Sequence, residues 1–391
     1  VVSQSGALEQ EIAFYKRRLQ RDPGSALDLA FLAEAYLARA RATRDPAWYL
    51  LAEQAARRSL QKLPYGNATA LLALARVAEA GHDFPQALAL ARRALQEKPD
   101  SLEAWSLMVT SGLGQGDLDL AQQAAAVLVQ RAPTVGSYTL QALVHQARGR
   151  DGQALAAFAR ALRREQPQEL ETSSWCRSLW ARLLLSRGRL APAQDLASEA
   201  LRLNPRQPTA LLVLGEVAAR RGRWQEALDA YTRCYNAGQE PVALLALARL
   251  EAARGRRQAA EEHWRRAEET LRQQLAASPA GHRRDLARLL LERGRPGQAA
   301  EALSLMRAEA ARRRDGETLK LLGWALGATG SPGQALQPLE QARRSGWRDA
   351  ELLYLLARVR RALGQREQAA SLEAQARQVD PTLPGLPGGA W

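Results

Sequence analysis

The sequence predicts an all-α chain, a solenoid of about ten helix-turn-helix units preceded by one further helix. Three observations carry this. The composition is that of a helix former: Ala, Leu and Arg dominate, only 5% of residues are aromatic, and Ile12 is the only isoleucine. A small residue recurs at Ala52, Ala87, Ala121, Ala154, Ala193, Ala227, Ala260, Ala299, Ala335 and Ala369, in steps of 35, 34, 33, 39, 34, 33, 39, 36 and 34 residues. From Ala121 onward a Gly stands five positions before each of them: Gly116, Gly149, Gly188, Gly222, Gly255, Gly294, Gly330 and Gly364. A repeat near 34 residues is the length of one paired-helix unit.

The elements follow in chain order. Ala7–Leu19 reads as an unpaired leading helix, with Leu8, Ile12, Tyr15 and Leu19 on one side, suited to covering the apolar end of a stack. The first unit carries about seven extra residues around Arg41 to Trp48, between its two helices. In the unit at 205–238, Leu211, Leu214, Gly215 and Ala218 share one helical face, and Gly222 permits the left-handed turn that ends that helix. Ala227, Tyr231 and Cys234 repeat the spacing on the second helix, and Pro205 marks where the preceding helix stops. Gly215 and Ala227 are expected to let the two backbones approach closely. Extra residues near Gln166–Thr172 and Thr270–Pro279 predict longer second helices or protruding loops. Ala87 to Ala193, Ala121 to Ala227, Ala154 to Ala260 and Ala193 to Ala299 are each 106 residues apart, the mark of a three-unit duplication. The Pro/Gly-rich end after Pro381 reads as a disordered tail, with docking of Leu386 or Trp391 as the alternative.

Composition also limits function. With 46% apolar and 25% charged residues the chain should fold. Its net charge is +14, from 55 basic and 41 acidic residues; only Lys16, Lys62, Lys98 and Lys320 are lysines, leaving 51 arginines. Residues 1–200 hold 24 basic and 20 acidic side chains, residues 201–391 hold 31 and 21. Such a surface favours anionic partners. Twenty of the arginines, among them Arg148, Arg150, Arg187, Arg189, Arg163, Arg164, Arg265 and Arg266, sit at helix ends. There a cation gains about 0.3–1 kcal/mol from the helix dipole, so they need no ligand to explain them.

Catalysis has little to work with. His82, His145, His263 and His282 are scattered, His82 in an inter-helix turn, and no HExxH, CxxC, GxSxG or Gly-rich phosphate loop occurs. Cys176 and Cys234 read as small packing residues. No enzyme activity, metal or cofactor is expected. No run approaches 18 apolar residues, so no membrane span is expected. The sequence opens on Val1 rather than Met, as expected of a trimmed chain or one that has lost a leader or anchor, which leaves cytoplasmic and exported locations both open.

The repeat resembles the tetratricopeptide family. Residues 102–133 match best, with Trp105 at the first bulky place, Gly116 at the turn, Ala121 at the small place of the second helix and Pro133 at the end. Val109 and Gly112 depart from the pattern. Residues 316–349 supply Leu322, Gly323, Ala335, Leu339 and Ala342 but end on Ser345-Gly346. The resemblance spans 23–381, giving a leading cap at 1–22, an array of about ten repeats at 23–381 and a tail at 382–391. It implies a right-handed superhelical solenoid whose first helices face a concave groove. The groove-facing places then read Arg76, Arg182, Arg249, Arg284, Arg288, Lys320, Arg358 and Arg361, interleaved with Trp175, Trp324 and Tyr354. Glu34, Glu103, Glu216, Glu317 and Glu351 are the fewer acids. Arg binds carboxylates through a planar fork, and Trp and Tyr anchor interfaces. The resemblance thus implies a non-enzymatic protein-interaction scaffold. Its C-terminal half would take an acidic or extended peptide, with Arg182, Arg249, Arg284, Arg288, Lys320, Trp324, Tyr354, Arg358 and Arg361 as the expected contacts. Asn67, Asn204 and Asn236 all miss the inner places, so the chaperone-binding carboxylate clamp is not expected. A nucleic-acid-binding repeat is the first alternative, and the repeat portion of a bacterial envelope or secretion assembly the second.

Overall fold

The computed structural model describes residues 4–43, 45–238, 240–277, 282–383 and 385. Among the described residues every regular element is a helix. A leading helix, α1 (Gln4–Arg21), precedes ten pairs: α2 (Ala26–Thr43) with α3 (Ala47–Lys62), α4 (Ala68–Ala80) with α5 (Phe84–Glu97), α6 (Leu102–Gln115) with α7 (Leu118–Arg131), α8 (Val135–Ala147) with α9 (Asp151–Leu162), and α10 (Leu170–Leu185) with α11 (Leu190–Leu203). The series continues with α12 (Pro208–Arg220) and α13 (Trp224–Asn236), α14 (Glu240–Ala253) and α15 (Arg257–Ala277), α16 (Arg283–Arg293) and α17 (Gln298–Ala310), α18 (Gly316–Ala328) and α19 (Pro332–Arg344), and α20 (Ala350–Ala362) and α21 (Arg366–Val379).

Local chemistry sets the helix ends. Asn67, Asp83, Ser101, Asp117, Asp315 and Asp349 each accept a backbone N–H of the helix they precede, satisfying a donor that has no partner within the helix. Gly116 closes α6 in the left-handed conformation at φ 77°. His82 takes the same conformation at φ 55°, stacked on Phe84. Gly215 does admit a close neighbour, but the neighbour is the ring of Tyr231 rather than a helix backbone: an added Cβ there would lie within 3.0 Å of it.

The extra residues are placed differently from one repeat to the next. In the first pair they lengthen α2 to 18 residues rather than forming a loop. Near 166–172 they make a loop and a 16-residue α10; near 270 they lengthen α15 to 21 residues. One anchor moves. Nine of the ten recurring alanines are fully buried, but Ala299 is not, and Ala302 takes the buried place. The turn Gly294–Gly297, with Pro296 and a left-handed Gly297, delays the start of α17. The 106-residue relation therefore fails at its last member.

The chain falls into two units, Val1–Ala132 and Pro133–Trp391. In the first, α1 packs on α2 through Ile12, Tyr15 and Leu19, against a core of Leu32, Tyr36, Ala52, Ala56 and Ala70. Arg18 pairs with Asp28 and Arg39 with Glu9, both at 2.8 Å. In the second, successive pairs bury one alanine-lined seam after another, ending in a core around Leu286, Leu290, Leu321, Trp324, Leu355 and Leu356.

The second unit also closes on itself. Gly149, in the α8–α9 turn, lies against Gly346, between α19 and α20; a Cβ on Gly149 would be less than 3.0 Å from the Gly346 backbone, and one on Gly346 less than 3.0 Å from the Arg148 carbonyl oxygen. Arg348 pairs with Asp151 at 2.9 Å, bridging 197 residues, and Asp151 also holds Arg187 at 2.8 Å. Gly188 meets Asp380 and Pro381, and Arg220 reaches Asp380 at 2.7 Å and Thr382 at 2.9 Å. One edge of the early repeats thus rests on the opposite edge of the late ones, and first helices such as α10, α16 and α18 face a common interior. Thr382 and Leu383 are held in this contact; Leu386 and Trp391 lie outside the described residues.

Candidate functional site

The interior of the second unit is where the predicted site residues collect. Arg249 on α14 forms two parallel bonds of 2.7 Å to Glu292, a buried carboxylate on α16. Arg288, one turn before Glu292, bonds it at 2.8 Å and also reaches Glu317 at 2.9 Å and Glu351 at 2.8 Å. Lys320 on α18 is met by Glu351 at 2.6 Å, Glu317 at 2.9 Å and Asp349 at 3.3 Å, with its ammonium over the ring of Trp347. Arg284 has one long contact, 3.4 Å, to Asp315.

These contacts revise the expected open basic stripe. Lys320 is 1% exposed, Trp324 2% and Tyr354 8%, so none of the three presents a surface to a partner. Trp324 packs in the core with its indole Nε1 unpaired, and the Tyr354 hydroxyl donates to the carbonyl of Leu383 at 3.2 Å. Trp175 is half-buried against the core around Phe158. Arg361 is exposed and pairs with Glu373 at 2.5 Å. The Arg358 guanidinium is held below its ordinary pKa by burial and then by Arg361. In the first unit Arg76 is taken by Glu103 at 2.8 Å.

Electrostatics follow the packing. Burial pulls the Lys320 pKa down, but Asp349, Glu317 and Glu351 outweigh it and hold it above the ordinary lysine value. Burial pushes Glu351 up, and Arg288 and Lys320 more than reverse that, leaving it well below the usual carboxylate range. Glu317 is lowered in the same way, against its own burial, by Lys320 and Arg288. Asp349 goes the other way: burial, then Glu351 and Glu317, outweigh Lys320 and raise it.

Arg182 differs from all of these. It projects from α10, its side chain is reached by solvent, and it has no hydrogen bond or ion pair to any described side chain. Its pKa is nevertheless lowered, first by loss of hydration among the surrounding helices and then by Arg284. Glu317 offsets only part of this. Arg284 and Glu317 come from α16 and α18, so they act on Arg182 across the interior. A guanidinium that is wet, enclosed, unpaired and repelled by another is a site where an anion would be stabilised.

The partners that neutralise this interior escaped the sequence reading. Asp315 and Asp349 precede α18 and α20 as N-caps, and Glu292 lies outside the inner places of the repeat. The available signals were the i, i+4 pair Arg288 and Glu292, and an Asp two residues before each inner glutamate, Asp315 before Glu317 and Asp349 before Glu351.

Among the described residues no group of three or more His, Cys, Asp and Glu side chains could hold a metal ion. Cys176 and Cys234 are buried, and burial pushes the Cys176 thiol up to about 11, away from the nucleophilic thiolate. No described helix is long and apolar enough to cross a membrane.

A tetratricopeptide repeat profile matches residues 72–136 and 178–241, which are α4–α7 with the turn after them and α10–α13 with theirs. The other helix pairs repeat the same geometry at the same period. The matched segments are tetratricopeptide repeats, and the fold is a solenoid of such helix pairs. Proteins of this family bind protein partners and serve in general as scaffolds rather than as enzymes. No curated protein matches the chain in sequence. Among solved structures, it is similar to the human IFIT1 dimer with PPP-AAAA, at 15% identity and TM-score 0.49, over 94% of each chain. It is similar to yeast Tom70 at 14% identity and TM-score 0.47, over 95% of this chain and 86% of that one. It is similar to Pseudomonas aeruginosa pilF at 18% identity and TM-score 0.43, over 52% of this chain and 91% of that one.

Proposed function

We propose that this protein is a non-enzymatic interaction scaffold whose second unit receives an acidic segment of a protein partner within its closed interior, at Arg182 and Arg284. The supporting observation is the unpaired, solvent-reached guanidinium of Arg182 beside Arg284, in an interior whose other expected contacts, Arg249, Arg288 and Lys320, are already neutralised. Arg284 completes the pair because its bond to Asp315 is long, 3.4 Å, and Asp315 is shared with Arg313. A carboxylate bridging the two guanidiniums relieves their repulsion and accepts several charge-assisted bonds. Arg358 and Arg361 lie on α20, where they would contact a longer segment rather than its anchoring carboxylate.

The test is fluorescence anisotropy of a labelled oligoglutamate peptide with the intact chain. Arg182→Ala removes a side chain with no internal partner, so the protein should keep its melting temperature while affinity falls roughly tenfold, as for loss of one partner of a charge-assisted pair. Equal affinity for both proteins, or tighter binding of a labelled oligonucleotide than of the peptide, would defeat the reading. Nucleic acid draws less support here, because much of the arginine excess is held in ion pairs within the fold.

A further inference from the structure

The first unit presents a face of opposite character. Residues 1–132 hold 15 basic and 14 acidic side chains, whereas residues 133–391 hold 40 and 27, so the net positive charge belongs almost wholly to the second unit. On α2, Leu27, Phe31 and Glu34 fall on one stripe, at i, i+4 and i+7. Phe31 stacks on Tyr15 of α1, with centroids 5.8 Å apart, and Tyr15 meets Phe14 edge-on at 5.2 Å. Despite these contacts Leu27 is 55% exposed, Phe14 47% and Phe31 39%. Scattered apolar residues on a surface need no explanation; Phe14 and Phe31 joined through Tyr15, with Leu27 one turn before Phe31, form a patch.

Two unpaired carboxylates border this patch. Glu34 is exposed and neither it nor Glu11 has a hydrogen bond or ion pair to a described side chain. Burial, then Glu103, then Glu11 raise the Glu34 pKa, and only Arg41 opposes them. Arg76, the inner-place arginine of this unit, is already held by Glu103 and Glu79. The face therefore combines exposed aromatic area with unneutralised negative charge. Glu11 and Glu34 leave two carboxylates open to an incoming cation, while Arg18 is already occupied by Asp28.

We propose that this face binds a partner segment in which a lysine or arginine is flanked by aliphatic or aromatic side chains. The cation sits between Glu34 and Glu11, and the apolar neighbours cover Leu27, Phe31 and Phe14. Aromatic faces attract cations as well, and the Arg18 guanidinium already lies 5.7 Å from the Phe14 ring centroid. The chain then carries two docking surfaces of opposite polarity, one on each unit.

The experiment uses the intact chain and a fluorescein-labelled peptide alternating lysine with leucine and tryptophan. A peptide with glutamate in place of lysine and one with serine in place of the apolar residues serve as controls. Only the lysine–apolar peptide should bind. The double variant Glu11→Gln/Glu34→Gln, at exposed positions, should weaken it about five- to tenfold, with the melting temperature unchanged. Leu27→Ser should weaken it independently, while Arg182→Ala should leave it unaffected, which separates this face from the second unit's interior. Equal binding of the glutamate peptide, or wild-type affinity in both face variants, would overturn the proposal. So would sedimentation showing a wild-type dimer that Leu27→Ser converts to monomer, since the occupant would then be a second copy of this chain.

Discussion

Closure of the second unit can be isolated with two glycines. Gly149 and Gly222 both sit in inter-helix turns with left-handed backbones, at φ 67° and 71°. Alanine at either position pays the same conformational penalty, about 1–2 kcal/mol. Their surroundings differ. A Cβ at Gly222 meets nothing within 4 Å, whereas one at Gly149 would be less than 3.0 Å from the backbone of Gly346. Neither backbone can yield without parting the two edges, since Gly346 is in turn pressed on the carbonyl of Arg148. Gly149→Ala therefore loses, beyond the turn penalty, the edge contact and the Arg348–Asp151 pair, the latter exposed enough to contribute no more than about 1 kcal/mol. Urea denaturation should show Gly149→Ala less stable than Gly222→Ala by about 1–3 kcal/mol, the cost of crowding a packed contact. Spin labels on Gln153→Cys and Arg344→Cys, both exposed, would report the edge distance directly, since Cys176 and Cys234 are buried and shielded from the label. That distance should lengthen and broaden in Gly149→Ala alone. Equal stability of the two variants with an unchanged distance would refute the closure argument.

Three further outcomes follow from the interior. Lys320→Ala leaves Asp349 without its cation, and Glu317 and Glu351 to Arg288 alone, and should cost about 3 kcal/mol in urea denaturation, the low end for breaking a buried pair because the carboxylates keep some hydration. Trp324→Phe removes an unpaired buried N–H and should be near neutral in melting temperature, whereas Trp324→Ala should cost about 3–5 kcal/mol. The third concerns acid. Glu317 and Glu351 have lowered folded-state values, so their contribution is present above the unfolded value of about 4.3 and is lost as pH falls through the folded ones. Asp349, raised, has the opposite sign and offsets part of this. The melting-temperature gap between wild type and Glu351→Gln should be widest near neutral pH and narrow progressively as pH falls below about 4.3. A gap constant down to pH 3 would contradict the assignment.

Much of the fold was legible because it is local and repeated. The spacing of the small alanines gave the ten pairs, and the apolar stripe from Ile12 to Leu19 gave the leading helix. The misplacement at Ala299 arose because Pro296 and Gly297 lengthen a turn whose glycine still satisfied the five-residue rule. The site was legible only in part, because position on a helix says which way a residue points and not what it meets. Arg288 and Lys320 do point inward, but so do the carboxylates that meet them, and two of these, Asp315 and Asp349, stand just before α18 and α20 rather than at inner places of a helix. Contact between Gly149 and Gly346 is set by how tightly the late repeats wind back onto the early ones. No single repeat encodes that pitch; it is the sum of many small helix-packing angles.

The central claim, that the second unit holds an acidic segment at Arg182 and Arg284, is tested most directly by photo-crosslinking. An oligoglutamate peptide carrying a benzophenone, bound to the intact chain and mapped by mass spectrometry, should mark the inner faces of α10, α16 and α18 around Arg182, Arg284 and Glu317. Those marks should vanish in Arg182→Ala. Crosslinks confined to the outer helices such as α11, α13 and α17, or inner-face marks that persist in the variant, would contradict it.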